Sequence, residues 1–209
     1  MTRIEQLIET YPDLESCAPD IQAAFETLRT CYHGGGKLLT CGNGGSAADA
    51  EHIVGELMKG YLLKRPLSED MRDKLVSASA EAGDYLASHL QGALPAISLV
   101  SQTSLLSAIS NDTAADMVFA QQVYAYGREG DTLIGLSTSG NSRNVILAMQ
   151  VARALGLRTI GLTGPTGGAL KPLCDVCICV PAENTPAIQE RHLPIFHVLC
   201  AMLEEEFFA

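Results

Sequence analysis

The stretch "CGNGGSAADAEHIVGEL", residues 41 to 57, runs from a glycine-rich loop into a helical pattern and sets His52 and Glu56 four residues apart. At that spacing two helical side chains share a face. An imidazole and a carboxylate so placed suit two ligands on one metal ion, or an acid/base pair beside a bound anion. Asn43, Gly44, Gly45 and Ser46 precede them. The glycines permit close backbone approach and positive φ, and Ser46 can cap the helix or donate to an anion. Alone, this loop reads equally well as a tight turn opening an ordinary helix.

A second loop of the same kind, "GLSTSGNS", offers the hydroxyls of Ser137, Thr138, Ser139 and Ser142 around Gly140. Hydroxyls and backbone N–H groups all donate, so together they make a neutral cradle for phosphate. A third loop, "LTGPTGG" at 162–168, carries a weaker signal because Gly/Pro/Thr turns are common. Neither of the first two loops has the Lys-Ser/Thr of a P-loop or the spacing of the dinucleotide fingerprint, which disfavours a nucleotide. Near the C-terminus, Gln189 and His197 are eight residues apart, about 80° around a helix, so both can lean towards one site. His192 lies between them as a competing candidate, and Pro194 is expected to kink the helix or free a carbonyl.

The elements that must position these residues alternate along the chain. Apolar runs "KLLTCG", "PAISLV", "DTLIGLS", "RTIGLTG" and "VCICVP" read as strands. Between them lie helical stretches: about Ser46 to Leu63, stretches up to Tyr126, Asn141 to Leu155, and finally Pro186 to Phe207. Strands apolar throughout, in βαβα order, predict a parallel sheet covered on both faces. In such sheets ligands bind beyond the carboxyl ends of the strands, where both glycine- and serine-rich loops fall. Residues 3–32 predict two helices or one broken helix, and the charged, Ala/Ser-rich 67–94 segment predicts a helical insertion within a single domain spanning 1–209.

Composition narrows the partners. A formal charge of −10 with no Lys/Arg-rich run argues against nucleic acid and anionic membranes, so a bound phosphate must rely on local donors. No stretch approaches the roughly 20 apolar residues of a membrane span, and the N-terminus lacks a signal-peptide core, which predicts a cytoplasmic protein. Seven cysteines include Cys174, Cys177 and Cys179 in "CDVCICV". Strand alternation puts Cys177 and Cys179 on one face, which favours buried reduced thiols over a zinc knuckle lacking its second ligand pair.

Taken in order, "CGNGGSAADAEH…E", "SND", "GREGD", "STSGNS", "LTG…GG" and "IQERHLPIFH" resemble the sugar isomerase (SIS) domain of phosphoheptose isomerases, which interconvert sedoheptulose 7-phosphate and D-glycero-D-manno-heptose 7-phosphate. The resemblance covers nearly the whole chain outside 67–94. It implies an α/β three-layer sandwich, doubly wound in the flavodoxin-like manner around a five-stranded parallel sheet, and a homotetramer with sites at subunit interfaces. It implies that Asn43, Gly44, Gly45, Asn111 and Asp112 contact substrate and that Ser137, Thr138, Ser139 and Ser142 hold its phosphate. It further implies one zinc per site on His52, Glu56, Gln189 and His197, with Glu56 and His197 as the acid/base residues. His197 is preferred to His192 because it keeps the eight-residue register from Gln189.

Two departures stand out. Where the family carries a substrate-facing Arg, this chain has Gly60, with Lys59 and Lys64 nearby, and 28 residues separate Pro66 from Pro95. The insertion is equally suited to a lid or a subunit contact. The expected reaction is an aldose–ketose isomerisation through an enediol, with two alternatives: a different sugar phosphate, or a non-catalytic phosphosugar sensor or adaptor.

Overall fold

The computed structural model describes residues 1–209. Helix α1 (Arg3–Thr10), begun by a capping box between Thr2 and Glu5, leads through a short 3-10 turn into α2 (Ala18–His33). Then follow β1 (Leu38–Cys41), α3 (Gly45–Met58), α4 (Glu69–Ala78), α5 (Gly83–His89), β2 (Ala96–Ser98), α6 (Thr103–Asp112) and α7 (Val118–Tyr126). The second half comprises β3 (Thr132–Ser137), α8 (Arg143–Ala154), β4 (Arg158–Thr163), β5 (Val176–Cys179) and α9 (Thr185–Phe208).

All five strands are parallel, in the order β2-β1-β3-β4-β5. The order reverses between β1 and β3, so the loops leaving these two strands diverge to opposite faces and open a crevice between them. The two loops read from sequence as ligand-binding are those two. Alternation sorts the strand residues: Leu38, Ile134, Leu136, Ile160, Leu162 and Ile178 pack with α1, α2, α3 and α9, while Leu39, Cys41 and Leu133 pack with residues of α6, α7 and α8. Most of these side chains are fully buried, each contributing about 1.5–3 kcal/mol. No helix is long and apolar enough to cross a membrane.

Helix α9 runs on through Pro194, whose missing N–H frees the Glu190 carbonyl, one of the two outcomes expected there. Two expectations need correction. Helix α3 stops at Met58, five residues short of the expected Leu63, because Lys59 is extended and the next residues turn onto α9. Cys174, Cys177 and Cys179 are half-buried, although all seven cysteines are free thiols as expected. The insertion is a hairpin of α4 and α5, in which α4 buries no residue and Gly83 lets the two helices approach: a Cβ there would lie 2.5 Å from Val76 Cα.

Candidate active site

The β1 loop turns through Gly44, which at φ 56° takes a conformation that L side chains rarely adopt. At Gly45 a Cβ would lie 2.7 Å from both Nε2 and Oε1 of Gln189, so the missing side chain brings the α9 amide against the loop. Ser46, expected as a possible cap, instead lies buried within the first turn of α3 and makes no capping bond.

One turn further on, His52 Nε2 lies 3.1 Å from Glu56 Oε1 and 3.4 Å from His197 Nε2. The expected register on α9 therefore holds: His197 reaches the His52/Glu56 face, with the Tyr61 ring tilted 5.7 Å from its own. His192 is excluded from the site. It is fully buried beneath β4, with Nε2 3.2 Å from the Thr163 carbonyl, and burial pushes its pKa down to about 4. Burial likewise lowers His197, reinforced by His52 and opposed by Glu56, so its ring is neutral at pH 7. Glu56 Oε2 is buried without a hydrogen bond; the nearest cation, Lys59 Nζ, is 3.6 Å away.

In the β3 loop Ser137 donates to Ser142 Oγ at 3.0 Å, and the Ser142 N–H points back to Ser137 Oγ at 3.4 Å. Ser139 Oγ accepts from the Asn141 N–H, and the Thr138 carbonyl accepts from the Gly164 N–H. Neither α3 nor α8, the helices that leave the two loops, is capped by its N-cap side chain; the Ala47 N–H bonds the Gly44 carbonyl and the Val145 N–H the Asn144 Oδ1, which leaves the first two N–H groups of each helix for a ligand. Asn111 and Asp112, at the end of α6, are exposed and bonded to each other, and no hydrogen bond joins them to the other candidates. A wide groove lies elsewhere, at the opposite ends of the strands around Lys37, Arg128 and Asp131, and contains none of the candidate residues.

Several contributors escaped the sequence reading. Asn144 on α8 exchanges two hydrogen bonds with Asn43, each 2.9 Å, tying the loops together. Asp49 lies one turn before His52 with a buried, unpartnered oxygen, and burial pushes its carboxyl up while His52 opposes the shift. The third loop buttresses the second: a Cβ on Gly140 would strike the Gly167 carbonyl, and Ala169 N–H donates to Asn141 Oδ1 at 3.0 Å. Behind the site, fully buried Arg65 bonds Glu204 at 2.8 Å and donates to the Leu57 and Glu56 carbonyls at 2.7 and 3.0 Å. Glu204 also accepts from the N–H groups of Tyr61, Leu62 and Leu63. Burial opposes its ionisation, but these donors and Arg65 prevail and hold its carboxyl below the usual range.

Comparison with known proteins fits this arrangement. The SIS domain family model matches residues 4–84 and 75–164, its two segments overlapping inside the α4–α5 hairpin. A phosphoheptose isomerase from a Roseiflexus species is 44% identical over 93% of this chain and 86% of its own length. One from Rhodospirillum rubrum is 41% identical over 92% of this chain and 88% of its own. The chain belongs to the phosphoheptose isomerase family. Among solved phosphoheptose isomerases, that of Neisseria gonorrhoeae superposes with a TM-score of 0.73 at 35% identity, covering 94% of this chain and 93% of that one. The Francisella tularensis enzyme gives 0.74 at 29% identity, covering 98% and 100%. Set within that phosphoheptose isomerase family, Gly60 is sealed: its N–H donates to Gln91 Oε1 at 2.6 Å, and a Cβ would meet the same oxygen at 2.7 Å.

Proposed function

We propose that the chain is an aldose–ketose isomerase acting on sedoheptulose 7-phosphate to give D-glycero-D-manno-heptose 7-phosphate. The observation that carries this reading is the meeting of Glu56 and His52 on α3, the helix that leaves the crevice where the strand order reverses, with His197 on α9, whose Gln189 abuts the first loop there. The serine loop and the uncapped N-terminus of α8 hold the phosphate, which fixes the carbon chain and contributes binding energy for positioning. Asn43, Gly44, Gly45 and Gln189 line the first loop against the sugar, and Asn111 and Asp112 complete the substrate contacts. Glu56 moves the proton between C1 and C2 through the enediol, and His197, neutral at pH 7, exchanges protons with the sugar oxygens.

Zinc goes with this reading. The donors suit it in kind: two imidazole nitrogens 3.4 Å apart, a carboxylate with an unpartnered oxygen and a nearby amide, although no three His, Cys, Asp or Glu side chains are arranged as a ready metal site. His52, Glu56, Gln189 and His197 would hold it, where it would supply Lewis-acid stabilisation to the developing oxyanion or, with Glu56 and His197 occupied as ligands, tighten the site more than perform chemistry. A homotetramer with sites at subunit interfaces is supported by the exposure of the His52 side chain, 40%, which leaves one wall of the site for a neighbouring subunit. A cytoplasmic location accords with a sugar-phosphate substrate.

The sealed Gly60 favours a second reading, in which the same reaction runs on another sugar phosphate. The test presents the enzyme with sedoheptulose 7-phosphate and with shorter ketose phosphates, and measures kcat/KM for each. A clear preference for the seven-carbon substrate supports the first reading; preference for a shorter one selects the second. Phosphosugar binding without turnover on any of them leaves the sensor or adaptor.

A further inference from the structure

A cluster of thiols lies at the edge of the sheet, unused by the isomerisation. On edge strand β5, Cys177 and Cys179 point to one side with their sulfurs 3.7 Å apart. Cys174, in the loop entering that strand, donates from its thiol to the Leu170 carbonyl at 3.3 Å. Neighbouring β4 makes room for this pair. At Gly161 a Cβ would lie 2.8 Å from Cys174 Sγ and 3.2 Å from Cys177 Sγ, so the space any other residue would fill holds both sulfurs. Thr163 Oγ1 adds a contact 3.7 Å from Cys177 Sγ. All three cysteines are half-buried.

We infer that Cys174 and Cys177 are a redox pair, in which a hydroperoxide oxidises Cys177 and Cys174 resolves the product to a disulfide. The C-x-x-C spacing is the one used by protein dithiols. Cys174 beside it, with Thr163 Oγ1 and the Cys179 thiol each 3.7 Å from its sulfur and Lys171 nearby, outweighs burial and holds the Cys177 thiol down to about 6. The neighbouring Cys177, burial and Asp175 push Cys174 up, so Cys174 keeps its proton and donates it to the Leu170 carbonyl. Cys179 is the poorer partner. Two residues along one extended strand place Cα atoms about 6.6 Å apart, at the far limit of disulfide geometry, whereas Cys174 approaches from a loop.

The chemistry closes with the peroxide as oxidant. The Cys177 thiolate attacks one peroxide oxygen; the S–O bond forms, the O–O bond breaks, and the leaving hydroxide takes a proton to become water. The Cys174 sulfur, having lost its proton to solvent, attacks the Cys177 sulfur. The S–S bond forms and the sulfenic oxygen leaves as a second water, so two thiols have been oxidised and one hydrogen peroxide reduced.

The test exposes the reduced protein to hydrogen peroxide at pH 7 with dimedone present, then maps thiols and crosslinks by peptide mass spectrometry. The wild-type protein and Cys179→Ser are expected to form a 174–177 crosslink, Cys174→Ser to carry dimedone on Cys177, and Cys177→Ser to show neither, losing thiols about tenfold more slowly. A 177–179 crosslink, dimedone on another cysteine of Cys174→Ser, or intact thiols in the wild type would each overturn the assignment. The readout is thiol chemistry and is independent of isomerase activity.

Discussion

Replacing Glu204 with Gln tests the framework behind the site, because shape is kept while charge and two acceptor positions are lost. Oε1 of Glu204 accepts from the Tyr61 N–H and Arg65 Nε, and Oε2 from the N–H groups of Leu62 and Leu63. Whichever oxygen becomes NH2, two donors then face a donor. The Arg65 guanidinium, with 0% side-chain exposure, also loses its counter-charge. Removing one member of a buried ion pair costs about 3–5 kcal/mol. For a chain of this length that lowers the thermal midpoint by roughly 10 °C. Arg65 also grips the Glu56 and Leu57 carbonyls, so the C-terminal turn of α3 loosens and kcat falls alongside stability. Urea unfolding at pH 7 reads the first effect and single-turnover kinetics the second. A stability loss under about 1 kcal/mol would refute the reasoning, since it would mean that water or a rearranged donor already satisfies Arg65.

Other perturbations address the site itself. Glu56→Gln is expected to lower kcat at least about a hundredfold with the fold intact by circular dichroism, since it removes the group proposed to transfer the proton. Ser137→Ala and Ser142→Ala each weaken phosphosugar binding by about tenfold or more in calorimetry, the scale of a hydrogen bond to a charged group. Asn144→Ala unpairs Asn43 and raises KM more than it lowers the unfolding midpoint. His192 gives an acid limb: its folded pKa, about 4, lies below the 6.5 of the unfolded chain, so the unfolded state binds the extra proton between those values. Stability attributable to it is complete above pH 6.5 and declines by up to about 3 kcal/mol as pH falls to 4. In urea titrations across that window, His192→Asn flattens this part of the profile.

What the sequence made legible is what local pattern encodes. The five strands announced themselves as apolar runs, and the glycine and serine loops fell at their ends because parallel topology puts helix N-termini there. The pairing of His52 with Glu56 followed from helical periodicity, and the choice of His197 over His192 as the partner of His52 from the family resemblance. What stayed hidden depends on contacts distant in the chain. Helix α3 was read too long because "YLL" extends its apolar pattern, whereas a carboxylate on α9, Glu204, draws the N–H groups of residues 61–63 out of helical register. Asn144 reads as one more polar residue near a helix start until folding sets it against Asn43, 101 residues away. The third loop's glycines read as turn formers, and only the packed structure makes them the floor of the serine loop.

The central claim is most directly tested by mixing purified protein with sedoheptulose 7-phosphate and following aldose formation by NMR, in parallel metal-stripped and zinc-restored samples. The account predicts aldose 7-phosphate in the zinc-restored sample and little in the stripped one. Absence of aldose in both would contradict it.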